Sequence, residues 1–345
     1  MRTLPPENDL LRRFERLFST RRRDVKVGVG DDAAVLAAPP TLAVCTDALV
    51  EGEDFTSGTD PYLVGRKALN VNLSDLAAMG ATPLHALLTL GLPRQTPEAW
   101  LDGFLDGFRA AARDHAVAIV GGDLSASLER FASVTALGRV PAEGPLRRGG
   151  GSPGDELWVS GTLGAAAAGL SLVLRGYRRD RDGKVTAPRG RRVSPSRRDE
   201  IARLLRHLLD PRPMVDLGRM LAEGGIASAA IDLSDGLARD LHRLCRASGT
   251  GAAIDRDSLP VDSGLSTLPG LPSDPLELSL FGGEDYGLLF AVPPQRLGAM
   301  GKIAARFAVR RIGRLDATAR IVLAGGGQLS PLPDRGFDHF ARDAG

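Results

Sequence analysis

One pattern limits what this chain can fold into more than any other: a short apolar run, one or two small residues, then aspartate. It recurs at Asp31/Asp32, Asp47, Asp123 and Asp232/Asp235. Short apolar runs bounded by Gly, Ser and Thr read as strands, and open α/β sheets place ligands outside strand ends. Asp75 joins the set from a helix, where the three-residue step from Asn72 puts both polar side chains on one face. Each aspartate alone reads better as a turn residue or cap; the set as a whole reads better as a site. Carboxylates brought together repel unless cations neutralise them. No His lies in these segments and the one nearby thiol is Cys45, so the hard-oxygen donors suit Mg²⁺ or Mn²⁺ over Zn²⁺. Mg²⁺ held by carboxylates and waters usually grips a substrate phosphate as well.

The remaining periodicity places these aspartates in a mixed α/β chain. Leu10, Leu11, Phe14, Leu17 and Phe18 predict an opening amphipathic helix. Val25, Val27 and Val29 alternate in a strand running into Asp31 and Asp32, and residues 42–45 predict a second strand that ends at Thr46-Asp47. Helices are predicted over 61–80, with Pro61 in the first turn and Gly80 as C-cap, and over 97–115. Residues 117–120 lead into Gly121-Gly122-Asp123, and 131–140 form a further strand. The turn-rich 141–154 divides an N-terminal domain, 1–145, from a C-terminal domain, 146–345. Beyond it come a strand at 156–160, a turn at Gly161-Thr162-Leu163-Gly164 and an alanine-rich helix at 165–174. Helices over 201–209, 216–221 and 237–247, a short apolar piece at 231–235 and a strand at 320–323 complete the alternation of an α/β protein.

Composition narrows the class. A length of 345 residues suits about two domains, and 43% hydrophobic with 25% charged residues excludes wholesale disorder and collagen-like repetition. Lys+Arg 44 against Asp+Glu 42 gives no overall excess that points to nucleic acid or membrane. Only Lys26, Lys67, Lys184 and Lys302 are lysines. Twelve basic residues against four acids make 175–206 net +8. Its first part, 175–200, is poor in apolar residues and rich in Gly and Pro, and reads as a mobile surface excursion. Tyr177 is its one aromatic, where a nucleic-acid platform would interleave several. Two cysteines form no disulfide framework, no run of about 18 apolar residues is present to span a bilayer, and the start lacks the apolar core of a signal peptide. A soluble cytoplasmic protein is the expectation.

Familiar nucleotide signatures are missing. There is no G-x-x-x-x-G-K-[ST], and Gly149, Gly151 and Gly154 match G-x-G-x-x-G only formally, because a predicted strand follows them instead of preceding them. Gly161-Thr162-Leu163-Gly164 either offers backbone N–H groups to a phosphate or is a plain tight turn. Gly282-Gly283-Glu284-Asp285-Tyr286 sets two acids after two glycines, allowing close backbone approach to a ligand. His85, His115, His207 and His242 fall in or beside predicted helices, away from the aspartates, and are assigned no catalytic role.

Read in order, Gly28-Val29-Gly30-Asp31-Asp32, Thr46-Asp47, the run from Lys67 to Ala81, Gly121-Gly122-Asp123, Ile231 to Gly236, Gly282 to Tyr286 and the ending Gly336-Phe337-Asp338-His339-Phe340 resemble the thiamine-monophosphate kinase family. The superfamily that includes aminoimidazole ribonucleotide synthetase and selenophosphate synthetase shares part of the aspartate pattern. Asn72 to Gly80 and Ile231 to Leu237 favour the kinases within it. The resemblance implies an N-terminal α/β domain whose strands join those of a second subunit in a barrel, hence a homodimer, and a C-terminal α/β domain closing over the active site. It further implies transfer of the γ-phosphoryl of ATP to thiamine monophosphate, with several Mg²⁺ ions.

Carried over by position, Asp32, Thr46, Asp47, Asp75, Asp123, Asp232 and Asp235 look like Mg²⁺ ligands, with Cys45 standing where the family usually has Ser. Gly122, Asp123, Arg148 and Ser234 look like ATP contacts; Glu284 and Phe337 match positions facing thiamine monophosphate, and Asp54 stands where a substrate-approaching His is common. Asp47, Asp123 and Arg148 are the expected catalytic set, because in-line phosphoryl transfer needs positioning and charge neutralisation more than covalent chemistry. A thiol is a poor Mg²⁺ ligand, and an Asp at 54 adds negative charge near a phosphate. The Arg-rich loop looks like an insertion of about 25 residues, tolerable at low cost in stability. The rival readings are another ATP-dependent enzyme of the superfamily and a nucleic-acid or protein binding module using 175–206. Against selenophosphate synthetase, the segment before Gly28 has neither Cys nor a Gly-rich loop.

Overall fold

Residues 4, 5, 7–29, 33–268 and 274–338 are described by the computed structural model. Gly30, Asp31, Asp32, His339 and Phe340 lie outside the described residues. Two compact units are present: one holds Met1–Leu76, Ala81–Val140 and Arg179–Lys184, the other Ala77–Gly80, Pro141–Arg178 and Val185–Gly345.

In the first unit the elements run α1 (Glu7–Phe18), β1 (Val25–Val27), β2 (Val35–Leu36), β3 (Leu42–Val50), α2 (Pro61–Ala78), β4 (Thr82–Leu92), α3 (Glu98–Asp114), β5 (Ala118–Ala126) and β6 (Phe131–Arg139). Four strands form one sheet in the order β3-β6-β4-β5, with only the β4/β5 pair parallel. β6 alternates cleanly: Ala132, Val134 and Ala136 are buried, while Ser133, Thr135 and Leu137 on the other face stay half-buried. α2 covers the buried face and crosses α3 backbone to backbone, since a Cβ at Gly65 would lie 2.0 Å from Phe104 O and one at Gly107 1.9 Å from Tyr62 O.

Two expectations change here. β3 does not stop at Thr46-Asp47, because all nine of its residues register with β6, from Leu42 opposite Arg139 to Val50 opposite Phe131. Gly121-Gly122-Asp123 likewise lies inside β5, paired with Leu87, Leu88 and Thr89. Asp47 and Asp123 are therefore mid-strand residues, and His85 belongs to the unforeseen strand β4.

The second unit holds β7 (Glu156–Ser160), α4 (Ala165–Leu174), β8 (Arg178–Arg179), β9 (Val185–Thr186), α5 (Pro195–Leu209), α6 (Val215–Glu223), β10 (Ala229–Asp232), α7 (Leu237–Ser248), β11 (Gly251–Asp255), α8 (Gly264–Thr267), α9 (Pro275–Phe281), β12 (Leu288–Val292), α10 (Met300–Ala304), β13 (Val309–Asp316), β14 (Ile321–Gly325) and β15 (Gln328–Pro331). Its seven-stranded sheet runs β10-β12-β7-β13-β11-β14-β15. β12 is buried on both faces: Leu289 and Ala291 pack with Leu237 and Leu241 of α7, Leu288, Phe290 and Val292 with Leu217 and Leu221 of α6. Helices on both faces of this sheet, and α2 over one face of the first unit's sheet, make each unit mixed α/β, as the alternation of elements predicts.

The Arg-rich excursion carries the short ribbon β8–β9, and α5 begins within it at Pro195. Its tip, 179–184, belongs to the first unit, where Arg181 N–H donates to Asp60 at 2.8 Å and the guanidinium stacks 4.4 Å from the Tyr62 ring centroid. Among the described residues no helix is long and apolar enough to cross a membrane.

Candidate active site

Alternate residues of a strand point to opposite faces, and β3 divides the predicted ligands accordingly. The Cys45 thiol donates to Asn72 O of α2 at 3.2 Å, and Asp47 N–H donates to Asn72 Oδ1 at 2.9 Å. Thr46 turns the other way, donating to Val134 O at 3.0 Å and lying 3.3 Å from the Thr135 hydroxyl. Burial first, then the charges of Asp75 and Asp47, push the Cys45 thiol far above its ordinary range. The residue thus presents S–H where a metal would need thiolate. Asp47 and Asp75, whose charges both act on this thiol, are the hard-oxygen donors here.

Among the described residues no group of three or more His, Cys, Asp and Glu side chains is arranged to hold a metal ion. Mg²⁺ does not need such a cage, being bound through one or two carboxylates plus phosphates and water. The oxygen chemistry of Asp47 and Asp75 fits that mode; Cys45 does not. Asp54 is committed to the turn after β3, its carboxylate accepting from Val50 N–H at 2.8 Å and its carbonyl from the buried Lys67 ammonium at 3.3 Å.

On the opposite face of the sheet, a cavity of about 980 Å³ is lined by Leu11, Phe14 and Phe18 of α1, by Leu87 and Leu137, and by Gly121-Gly122-Asp123. Gly122 is required there: its φ is +154°, and a Cβ would lie 1.8 Å from Leu88 O. Asp123 is exposed, with the Ser125 hydroxyl donating to it at 3.4 Å.

In the second unit β10 ends on the buried Asp232, and the turn into α7 presents Ser234 and Asp235. Glu284 N–H donates to Ser234 O at 2.7 Å, Tyr286 N–H to Leu233 O at 2.8 Å and Phe337 N–H to Asp235 O at 3.0 Å. The structure thus gathers Ser234, Asp235, Glu284 and Phe337. Two further residues belong with them that the sequence reading missed. Asp240, fully buried on α7, accepts from Asp235 N–H at 3.1 Å, and Arg243 bridges Asp235 at 2.5 Å and Asp240 at 2.9 Å. Burial foremost, then the charges of Asp235 and Asp232, push the Asp240 carboxyl up to about 7. The three-residue step from Asp240 to Arg243 on one helix face was the available signal.

Arg148 is exposed, on a segment held by Ala230 N–H donating to Arg147 O at 2.9 Å and the Ser248 hydroxyl donating to Arg148 O at 3.0 Å. The Gly161–Gly164 turn is not open to a phosphate: Asp285 takes Gly164 N–H at 2.7 Å and Ala166 N–H at 3.2 Å.

Residues 30–140 match the AIR synthase related protein N-terminal domain and residues 152–325 the C-terminal domain, so both halves of that two-domain class are present. A thiamine-monophosphate kinase of Salmonella typhimurium is 37% identical over 339 residues, covering 96% of this chain and 97% of that protein. The crystal structure of a thiamine-monophosphate kinase from Stenotrophomonas maltophilia aligns with TM-score 0.78 at 36% identity, over 93% of this chain and 96% of the other. A structure described as AaThiL complexed with AMPPCP and TMP aligns with TM-score 0.74 at 27% identity, over 99% of this chain and 100% of the other. The chain belongs to the thiamine-monophosphate kinase family.

Proposed function

We propose that this protein transfers the γ-phosphoryl group of ATP to thiamine monophosphate, giving thiamine diphosphate and ADP, in a Mg²⁺-dependent in-line reaction without a phosphoenzyme. One observation carries the reading: the chain matches, over nearly its whole length, a relative whose complex holds AMPPCP and TMP. Asp47, Asp75, Asp123, Asp232 and Asp235 would hold Mg²⁺, which when bound neutralises phosphate charge; Asp32 is the sixth candidate. Thr46, whose hydroxyl is bonded within the sheet, is the further ligand candidate that the family resemblance gives.

The chain's own residues supply the rest. Gly122 lets the β5 backbone lie close to a nucleotide, Arg148 and Ser234 hold phosphate oxygens, and Glu284 and Phe337 orient thiamine monophosphate with its phosphate oxygen in line. Positioning and charge neutralisation suffice for such a transfer. The half-buried face of the N-terminal sheet, with Val44 60% exposed on its edge strand, supports pairing with a second copy in a homodimer. A soluble, cytoplasmic homodimer with domains 1–145 and 146–345 completes the reading.

The test is production of ADP and thiamine diphosphate from ATP, Mg²⁺ and thiamine monophosphate, with Asp123→Asn beside the wild type. Stoichiometric products that fall about 100-fold or more in the variant are expected. A folded, ATP-binding wild type that makes no thiamine diphosphate would discard this substrate.

A further inference from the structure

Among the described residues three non-glycine residues have positive φ, and two of them share one loop. Glu284 has φ +67° and Tyr286 φ +47°, a conformation side-chain-bearing residues rarely adopt. Such positions persist only where surroundings over-determine them. The residue between them does so. Asp285 delivers both carboxylate oxygens to the N-terminus of α4, at 2.7 Å to Gly164 N–H and 3.2 Å to Ala166 N–H.

Meanwhile the flanking N–H groups of Glu284 and Tyr286 are bonded to Ser234 O and Leu233 O, and Leu233 N–H donates back to Gly287 O at 2.9 Å. The loop is thus held from two sides, by the 233–234 strand end and by the start of α4. Among the described residues the Asp285 side chain makes the second hold. Its carboxyl is pushed up to about 7 by burial, opposed by the two N–H groups it accepts from.

We infer that Asp285 is a positioning residue: by capping α4 it locks the left-handed backbone of Glu284 and Tyr286 and so fixes where the Glu284 carboxylate stands for the acceptor substrate. The inference rests on the proposed role of Glu284 toward thiamine monophosphate. Asn in its place keeps the shape and one acceptor but turns an NH₂ toward a backbone N–H, which removes one of the two holds.

The test uses the full-length protein, with steady-state kinetics in each substrate and amide hydrogen exchange on wild type, Asp285→Asn, Glu284→Gly and the double variant. Asp285→Asn is expected to raise KM for thiamine monophosphate about tenfold while KM for ATP moves less than twofold. In the Glu284→Gly background, where glycine adopts the same φ freely, the same substitution is expected to add less than twofold, the coupling of residues that act as one. Equal rises in both KM values, or full additivity in the cycle, would overturn the inference. Exchange supplies an arm independent of substrate: amides of 164, 166, 284 and 286 should exchange faster in Asp285→Asn, and unchanged protection would also overturn it. If Asp285→Asn does not fold, Tyr286→Gly, which frees the second strained residue, must raise the same KM selectively or the inference fails. A wild type with no activity on thiamine monophosphate would remove the substrate reading, leaving exchange to decide whether Asp285 fixes the loop.

Discussion

Gly122→Ala offers the sharpest check on how the β4/β5 pair is built. In the parallel register Gly122 stands opposite Leu88. A Cβ there would lie 1.8 Å from Leu88 O, 2.7 Å from Leu88 C and 3.0 Å from Leu88 N. Relief to a 3.0 Å contact requires the strands to part by about 1.2 Å, and the obstructing atoms are backbone, which cannot rotate aside. Overpacking costs about 1–3 kcal/mol, and holding Ala at the glycine-like φ adds about 1–3 kcal/mol, so a loss of about 2–6 kcal/mol is expected. Gly121→Ala is the control: its Cβ would meet only Leu87 Cδ2, at 2.9 Å, the movable end of a side chain. That change should cost less than about 1 kcal/mol. Urea unfolding with unchanged m-values reads both differences. If Gly122→Ala destabilises no more than Gly121→Ala, the backbone approach of β5 to β4 is not as close as argued.

Three other outcomes follow from burial and charge. Cys45 is held protonated by burial and by Asp75 and Asp47, and burial raises Cys245 to about 11; iodoacetamide should modify neither at pH 8 in the folded protein and both in urea, and fast labelling of the native state would refute this. His85 lies buried with Asp24 3.0 Å away, and burial foremost, then Arg22, holds its pKa below the ordinary 6.5. Because the unfolded chain then takes up the proton first, this contribution is full above pH 6.5 and declines as pH falls below it; His85→Gln should flatten the drop in urea midpoint between about pH 7 and 5, and parallel curves would count against it. Asp262, 2% exposed, receives Arg203 at 2.6 and 2.5 Å, so Arg203→Gln should cost about 2–3 kcal/mol, less than a fully buried pair because Arg203 is partly exposed; a cost under about 0.5 kcal/mol would show that water rescues the carboxylate.

The helices were legible where local chemistry decides them. Residues 165–174 form α4 as their alanine-rich run predicts, and Pro61 and Gly80 bracket α2. The central strand β4 was not, because Thr82–Leu92 is built from Leu and Ala, good helix formers, and owes its conformation to pairing with β5 and β6. The same long-range pairing hid the extent of β3 and β5, and so turned Asp47 and Asp123 from strand-end into mid-strand residues. That Thr46 and Asp47 face opposite ways follows from the two-residue period once the strand is known to continue. The turn at Gly161–Gly164 was legible as a turn, but the carboxylate that satisfies its N–H groups comes from Asp285, 121 positions away.

In the second unit the gathered residues are tied together by main-chain hydrogen bonds. Glu284, Tyr286 and Phe337 are tied through N–H groups to the carbonyls of Ser234, Leu233 and Asp235. Such approaches leave no room beside them: a Cβ at Gly236 would meet Gly282 O at 3.0 Å, one at Gly283 would meet Ser234 O at 2.6 Å, and one at Gly336 would meet Asp235 O at 2.3 Å. The glycines therefore make room for the backbone, and Asp285 holds it from the α4 side, two separable tasks. Substituting Glu284 or Ser234 should leave the neighbouring backbone in place, whereas a methyl group at Gly283 must push the loop off Ser234 even with every acid intact. A sequence reader sees this division directly, as glycines paired with acids, but only the register of the backbone shows which carbonyl each glycine makes way for.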